Sequence, residues 1–180
     1  MTVKATVEPA TQSAQIHCAY DEIWPVAKLV GNPQNPNAHP PEQIRLLAKI
    51  IQAQGWRSPI CVSERSGFIV KGHGRLEAAK LAGMTEAPVD LQEYADEATE
   101  WADMIADNRL SELAEMKLPD LKDLLQELDT GELDMELCGF TDAELERLMS
   151  QFNPIAEEEQ PRLDEKTPIK CPSCGHEFTV

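Results

Sequence analysis

Basic residues are scarce in this 180-residue chain: 16 Lys and Arg stand against 32 Asp and Glu, a formal net charge of −16. Broad, nonspecific coating of DNA needs clustered cations, and the overall balance argues against it. Long apolar runs are also missing. Phe68-Ile-Val70 is typical in length, whereas about 20 residues are needed to cross a bilayer, so no membrane role is expected. The first twenty residues are polar and lack the apolar stretch and small-residue cleavage site of a secretory signal. There is no internal repeat, and no Gly-x-x-x-x-Gly-Lys-Ser/Thr segment that would make a Walker loop. Cysteine is sparse and odd in number, at five: Cys18, Cys61, Cys138, Cys171 and Cys174. Without an export signal this pattern predicts a cytoplasmic chain, whose one Cys-x-x-Cys pair binds metal rather than closing a disulfide.

What is present is unevenly placed. Apolar residues make up 42% of the chain, enough for a core and too many for wholesale disorder. Residues 1–91 hold nine basic and eight acidic residues, and residues 92–180 hold the other seven basic and 24 acidic. One half is near neutral and the other strongly anionic.

The pattern along the chain predicts a polar, poorly ordered lead-in over 1–20. A short strand with a proline is expected within 22–30, followed by a proline- and asparagine-rich loop over 31–41. Ile44, Leu47, Ala48 and Ile51 fall on one face of a helix that Gly55 stops. Pro59–Ser63 and Phe68–Val70 read as a hairpin, the segment from Leu76 to Ala82 as a helix, and Ala87–Leu91 as a further strand. Beyond residue 92 the periodicity is helical, with Trp101, Met104, Ile105 and Leu110 over 96–115 and a leucine stripe over 118–128. Thr141-Asp-Ala-Glu144 is a capping-box sequence for another helix. Residues 153–168, rich in proline and glutamate, read as a linker before a cysteine hook at 169–180.

Gly72-His73-Gly74-Arg75 falls where a strand ends and a helix begins. Glycines permit close approach of the backbone, the first helical N–H groups lack partners, and the helix dipole favours an anion. Arg75 can fork onto a phosphate, and His73 can donate to one or act as acid or base near neutral pH. The same residues are equally compatible with a tight turn bearing a surface arginine. Three segments can flank the loop: Asn35–His39, the run Gln54–Ile60 with Arg57 as a second cation, and Ala106–Arg109. Asp107 and Asn108 supply oxygen ligands suited to Mg²⁺, and Arg109 a further cation, although a solvated helix face explains them as well. His17 and His39 read as loop residues.

Cys171-x-x-Cys174-Gly175 has the spacing of one knuckle of a zinc ribbon. Two thiolates fill half a tetrahedral site. The remainder is expected from His176, from elsewhere in the chain, or from a second copy in a homodimer; a tail with two free thiols is the alternative.

The ordered set of motifs resembles the ParB N-terminal-like fold of the ParB/sulfiredoxin superfamily. It comprises Leu-Val-x-Asn-Pro-x-Asn-Pro from Leu29, Gly-x-x-x-Pro-Ile from Gly55, a hairpin, Gly-His-Gly-Arg, Gly-Met-Thr-Glu-x-Pro-Val from Gly83 and Ala-Asp-Asn-Arg-Leu-Ser-Glu-Leu from Ala106. The resemblance covers about residues 22–150 and is closest to a phage and prophage subgroup often associated with DNA methyltransferases, which also carries the Gly139-Phe-Thr-Asp-Ala-Glu144 segment. It implies an α+β fold: a ParB/sulfiredoxin-like core at 21–92 built on a small mixed sheet, an acidic helical extension of the same domain at 93–152, and then the linker and the zinc-ribbon-like hook.

Partition proteins of the family hold the triphosphate of CTP on a Gly-Glu-Arg-Arg loop and complete the site with an Asn-bearing helix and Mg²⁺. The resemblance therefore implies a phosphate or nucleotide site, for CTP or ATP, at Arg57, Gly72, His73, Gly74, Arg75, Asn108 and Arg109. Only the first glycine and the last arginine of the loop motif are kept, which predicts weaker triphosphate affinity. Sulfiredoxins place a cysteine in this loop, and no cysteine lies between Cys61 and Cys138, so that chemistry is not expected. The functional expectation is a nucleotide-binding module in phage DNA metabolism within a bacterial host cell, reaching DNA locally or through a partner such as a methyltransferase. A metal-dependent nuclease or NTPase using His73 and Asp107 is one alternative, and a non-catalytic adaptor another. The chain is too short for both a helix-turn-helix and a dimerisation domain, and its helical half too acidic to lie on DNA, so a ParB-like module alone is expected.

Overall fold

The computed structural model describes residues 14–151 and 168–179. Five strands form one mixed sheet in the order β1-β5-β3-β4-β2. Its centre is β3 (Ile60–Ser63), where every residue is buried. The hairpin partner β4 (Phe68–Lys71) runs antiparallel to β3, and β5 (Glu86–Gln92) runs parallel to it, pairing Ile60 with Val89. A strand with buried neighbours on both sides needs apolar residues on both faces, and the side-chain period of two distributes them. Ile60, Val62 and Ile69 join one apolar cluster with Ala48 and Ile51 of α1 (Pro41–Gln54) and Leu76, Ala78 and Ala79 of α2 (His73–Leu81). Ser63 faces the other way, where the carboxylate of Glu100 on α3 (Glu97–Glu112) accepts its hydroxyl.

The segment 22–30 is not one strand. β1 (Glu22–Pro25) lies antiparallel to β5 on one edge of the sheet, and β2 (Val30–Gly31) lies parallel to β4 on the opposite edge. A single 3₁₀ turn, Val26–Lys28, carries the chain across, with Val26 and Leu29 buried beneath it. Proline at residue 25 fixes its own φ and lacks a donor, which ends the first pairing.

The lead-in is ordered over its last residues. Trp56 donates its backbone N–H to the Gln15 carbonyl at 2.7 Å and accepts that of His17 at 2.9 Å. Gly55, at φ 75°, ends α1 where any Cβ would collide with the Gln15 carbonyl. The expectation of disorder across 1–20 therefore fails for 14–20: a backbone pairing with the residue after the helix stop leaves no apolar signature. Residues 1–13 lie outside the described residues.

The acidic half folds into the expected helices, but its stripes are only partly buried: Ile105, Leu110, Leu118, Leu124 and Leu128 are exposed. Asp96 caps α3, and Thr141 and Glu144 form both bonds of a capping box on α5 (Asp142–Ser150). Leu125 of α4 (Leu118–Leu128) and Leu148 of α5 are buried. A 3₁₀ turn, Met135–Cys138, docks on α1: Lys49 bonds Glu136, pairs with Asp134 at 2.6 Å, and Gln54 donates to the Leu137 carbonyl. The linker expected over 153–168 falls outside the described residues up to 167. Beyond it, β6 (Pro168–Lys170) and β7 (Glu177–Thr179) pair as a two-stranded hairpin around Cys171 and Cys174. Among the described residues no helix is long and apolar enough to cross a membrane.

Candidate functional site

At the C-terminal end of β4 the chain turns directly into α2. Gly72 is the N-cap, in the left-handed region at φ 96°, with no side-chain cap to satisfy the first helical amides. These amides border a pocket of about 170 Å³ lined by Asn35, His39, Lys71, His73, Arg75, Asp107 and Asn108, among others. The volume suits a phosphate-sized group rather than a whole drug-sized ligand.

Arg75 gives the pocket its character. Its guanidinium folds back over Gly72, where a Cβ would stand 2.9 Å from a terminal nitrogen. Its Nε is shut off from solvent and finds no hydrogen-bond partner among the described residues. Burial pulls the guanidinium below its ordinary pKa, partly offset by the charge of Asp107. A buried cationic donor without an acceptor is expensive, and its natural complement is an anion.

Lys71 is the second cation on the pocket wall. It pairs with Asp103 at 3.0 Å, and Tyr94 donates its hydroxyl to the same carboxylate at 2.7 Å. Burial opposes the charge on Lys71, but the bond to Asp103 and its negative charge outweigh it and hold the ammonium's pKa up. Burial raises the Tyr94 hydroxyl, as does its bond to Asp103.

His73 is committed to the fold. Its Nε2 accepts the backbone N–H of Asn32 at 3.1 Å, so the ring carries its proton on Nδ1. Burial and the neighbouring His39 lower its pKa, consistent with a neutral ring. Only Nδ1–H is left to serve a ligand, which weakens the expectation of His73 as an acid–base catalyst. His39, read from sequence as a loop residue, lies against Gly74: a Cβ there would be 3.3 Å from its ring. The glycine at 74 thus seats an imidazole, and no local pattern announces that contact.

The remaining expected ligands divide. Asp107 and Asn108 line the pocket, with the Asn108 amide donating to the Met104 carbonyl at 2.9 Å. Arg109 points away and pairs with Glu112 at 3.0 Å, one turn along the exposed face of α3. Arg57 is exposed and does not line the pocket. Neither arginine belongs to the site as the fold places it. Helix phase removes Arg109, and the bend after Gly55 leaves Arg57 in solvent. Lys71 and Asn35 enter in their place. Among the described residues no group of three or more His, Cys, Asp or Glu could hold a metal ion. Cys171 and Cys174 are thus a pair, without the His176 ring as an expected third ligand.

The Asn-Pro loop that frames the pocket is held from its far side by Glu100, 1% exposed. Glu100 accepts bonds from Ser63, Ser66 and Arg65, and more distantly from the Asn32 amide.

Residues 6–109 match the model of the ParB N-terminal domain, and residues 119–172 match that of the ParB-methyltransferase HTH domain. The second match overturns the expectation of a module with no helix-turn-helix: the helices beyond residue 119, read as part of an extension of the core, are matched as a separate domain, while most of α3 falls within the first match. Among curated proteins, the ParB-like nuclease domain-containing protein YnaK of Escherichia coli K12 is 35% identical over 65 residues, 36% of this chain and 74% of that protein. Among solved structures, the C-terminally truncated chromosome-partitioning protein ParB from Caulobacter crescentus, complexed with CTP-gamma-S, is 22% identical. It matches 71% of this chain and 76% of its own, with a TM-score of 0.59.

Proposed function

The chain belongs to the ParB N-terminal domain family, and from that premise we propose that its glycine pocket binds the phosphates of a nucleotide. The observation that carries this reading is the Arg75 guanidinium lining the pocket, its Nε without a partner among the described residues, beside uncapped helical amides. Arg75 supplies positive charge, with Lys71 beside it held by Asp103, and the N-terminus of α2 supplies amide donors. The Asp107 carboxylate lines the same pocket and opposes a bare phosphate. Mg²⁺ held between that carboxylate, the Asn108 amide and the phosphate would relieve the repulsion. CTP and ATP are the candidates, and CTP has the support of the ligand named for the Caulobacter protein.

The wider role is in DNA metabolism or modification, in a phage or prophage setting and with a methyltransferase as partner; the name of the second matched domain supports the partner. That domain carries 15 acidic and five basic residues over 119–172. Its charge disfavours lying on DNA alone and favours a basic partner between it and the duplex. The name of the E. coli relative supports a second reading, a nuclease, which a Mg²⁺- or Mn²⁺-dependent nicking assay would detect.

Isothermal titration with CTP, ATP and GTP in Mg²⁺ tests the site. At least one nucleotide should bind, and Arg75→Ala should weaken it about 10- to 100-fold, the loss of a charge-assisted hydrogen bond of about 1.5–3 kcal/mol. No heat with any nucleotide would overturn the reading.

A further inference from the structure

The hairpin at 168–179 is small, two paired strands of three residues each. Two strands of three residues are marginal in water without a core or a staple. The turn between them is organised around one sulfur. The backbone N–H groups of Ser173 and Cys174 both bond the Cys171 thiol. Gly175, in the left-handed region at φ 75°, donates to the Cys171 carbonyl at 2.9 Å, and the Cys171 N–H returns to the His176 carbonyl at 2.9 Å. Amides converging on sulfur favour the thiolate that a metal takes. This is the arrangement of a metal knuckle: two sulfurs three residues apart, with the backbone preset around the first.

We propose that the hook is half of a four-thiolate zinc site whose other half is the same hook of a second copy of this chain. Zinc in structural sites takes four ligands. Among the described residues no third Cys, His, Asp or Glu joins the pair, and every Cys and His of the sequence falls among those residues. Five of the other candidates have their own places. Cys61 is buried in the sheet, its thiol pushed up to about 11 by burial. Cys18 is half-buried, its thiol also raised by burial. His39 and His73 line the pocket. Cys138 lies in the turn docked on α1. A second hook brings two thiolates already preset, and a two-fold axis through the metal makes the contact self-complementary.

Cobalt(II) titration of the full chain, followed by thiolate-to-metal charge-transfer absorption, tests this. Saturation is expected at about one metal per two chains, with zinc competing the signal away. The band should vanish in Cys174→Ser and persist in Cys138→Ser. Circular dichroism of Cys174→Ser should match the parent, because the hook lies outside the core. Saturation at one metal per chain, or no thiolate band, would overturn the proposal.

Discussion

A buried carboxylate, Glu100, and a half-buried guanidinium, Arg75, sit on either side of the Asn-Pro loop, and they differ in one respect. Glu100 is surrounded by donors: two serine hydroxyls, an arginine fork and an asparagine amide. Arg75 has a buried nitrogen with no acceptor among the described residues. The fold has completed the first and left the second open. A buried charge with its partners in place joins elements together, here the β3–β4 hairpin, the loop and α3. A buried charge without them marks a place for a ligand.

Substitutions should separate the two. The largest effect is expected from Glu100→Ala, which removes the acceptor of Ser63 and Ser66 and the partner of Arg65. Denaturant unfolding should show a loss of about 1–3 kcal/mol, the cost of leaving the buried Ser63 hydroxyl without its acceptor. A loss near zero would mean that the carboxylate is not a joint. Arg75→Met should do the opposite to stability while abolishing the anion site. Removing a partnerless buried donor should raise the unfolding free energy, by about 1 kcal/mol. A strong destabilisation would mean that Arg75 serves the fold, and the contrast with Glu100 would collapse.

The smallest effect concerns His73, which joins the two regions through Asn32. Its folded pKa is depressed from 6.5 by burial. The unfolded chain therefore takes up the proton first, and the stability His73 contributes is present above pH 6.5 and lost as pH falls through the lower folded value. Protonation also removes the acceptor for the Asn32 N–H. Thermal unfolding from pH 7.5 down to 5 should show this decline, and His73→Asn should flatten it; an unchanged slope would remove His73 from the joint.

The elements were legible where a local rule governs them. The α1 face at Ile44, Leu47, Ala48 and Ile51, the Gly55 stop, the hairpin and the Thr141 capping box all depend on contacts within a few residues. The glycine loop was legible for the same reason, since a strand-to-helix turn is local. Partnerships between distant segments were not. The crossing of the chain from β1 to β2, the pairing of residues 15–17 with Trp56, and the His39 ring on Gly74 each need a neighbour far along the chain. Arg57 and Arg109 are expected at the pocket because they lie in segments read as flanking the glycine loop. Exposure and helix phase exclude them, and the pairing of Lys71 with Asp103 beside the pocket needed the approach of α3 to β4.

The sequence by itself determined the charge division, the family motifs, the Cys-x-x-Cys knuckle and the helix caps, because composition and short-range hydrogen bonding are properties of adjacent residues. The tertiary structure alone decided which charges are open. Glu100 and Arg75 look alike in one dimension, as single charged residues in helices. Only packing brings four donors to one and leaves the other facing a pocket, because desolvation and hydrogen-bond geometry exist only once distant segments have met.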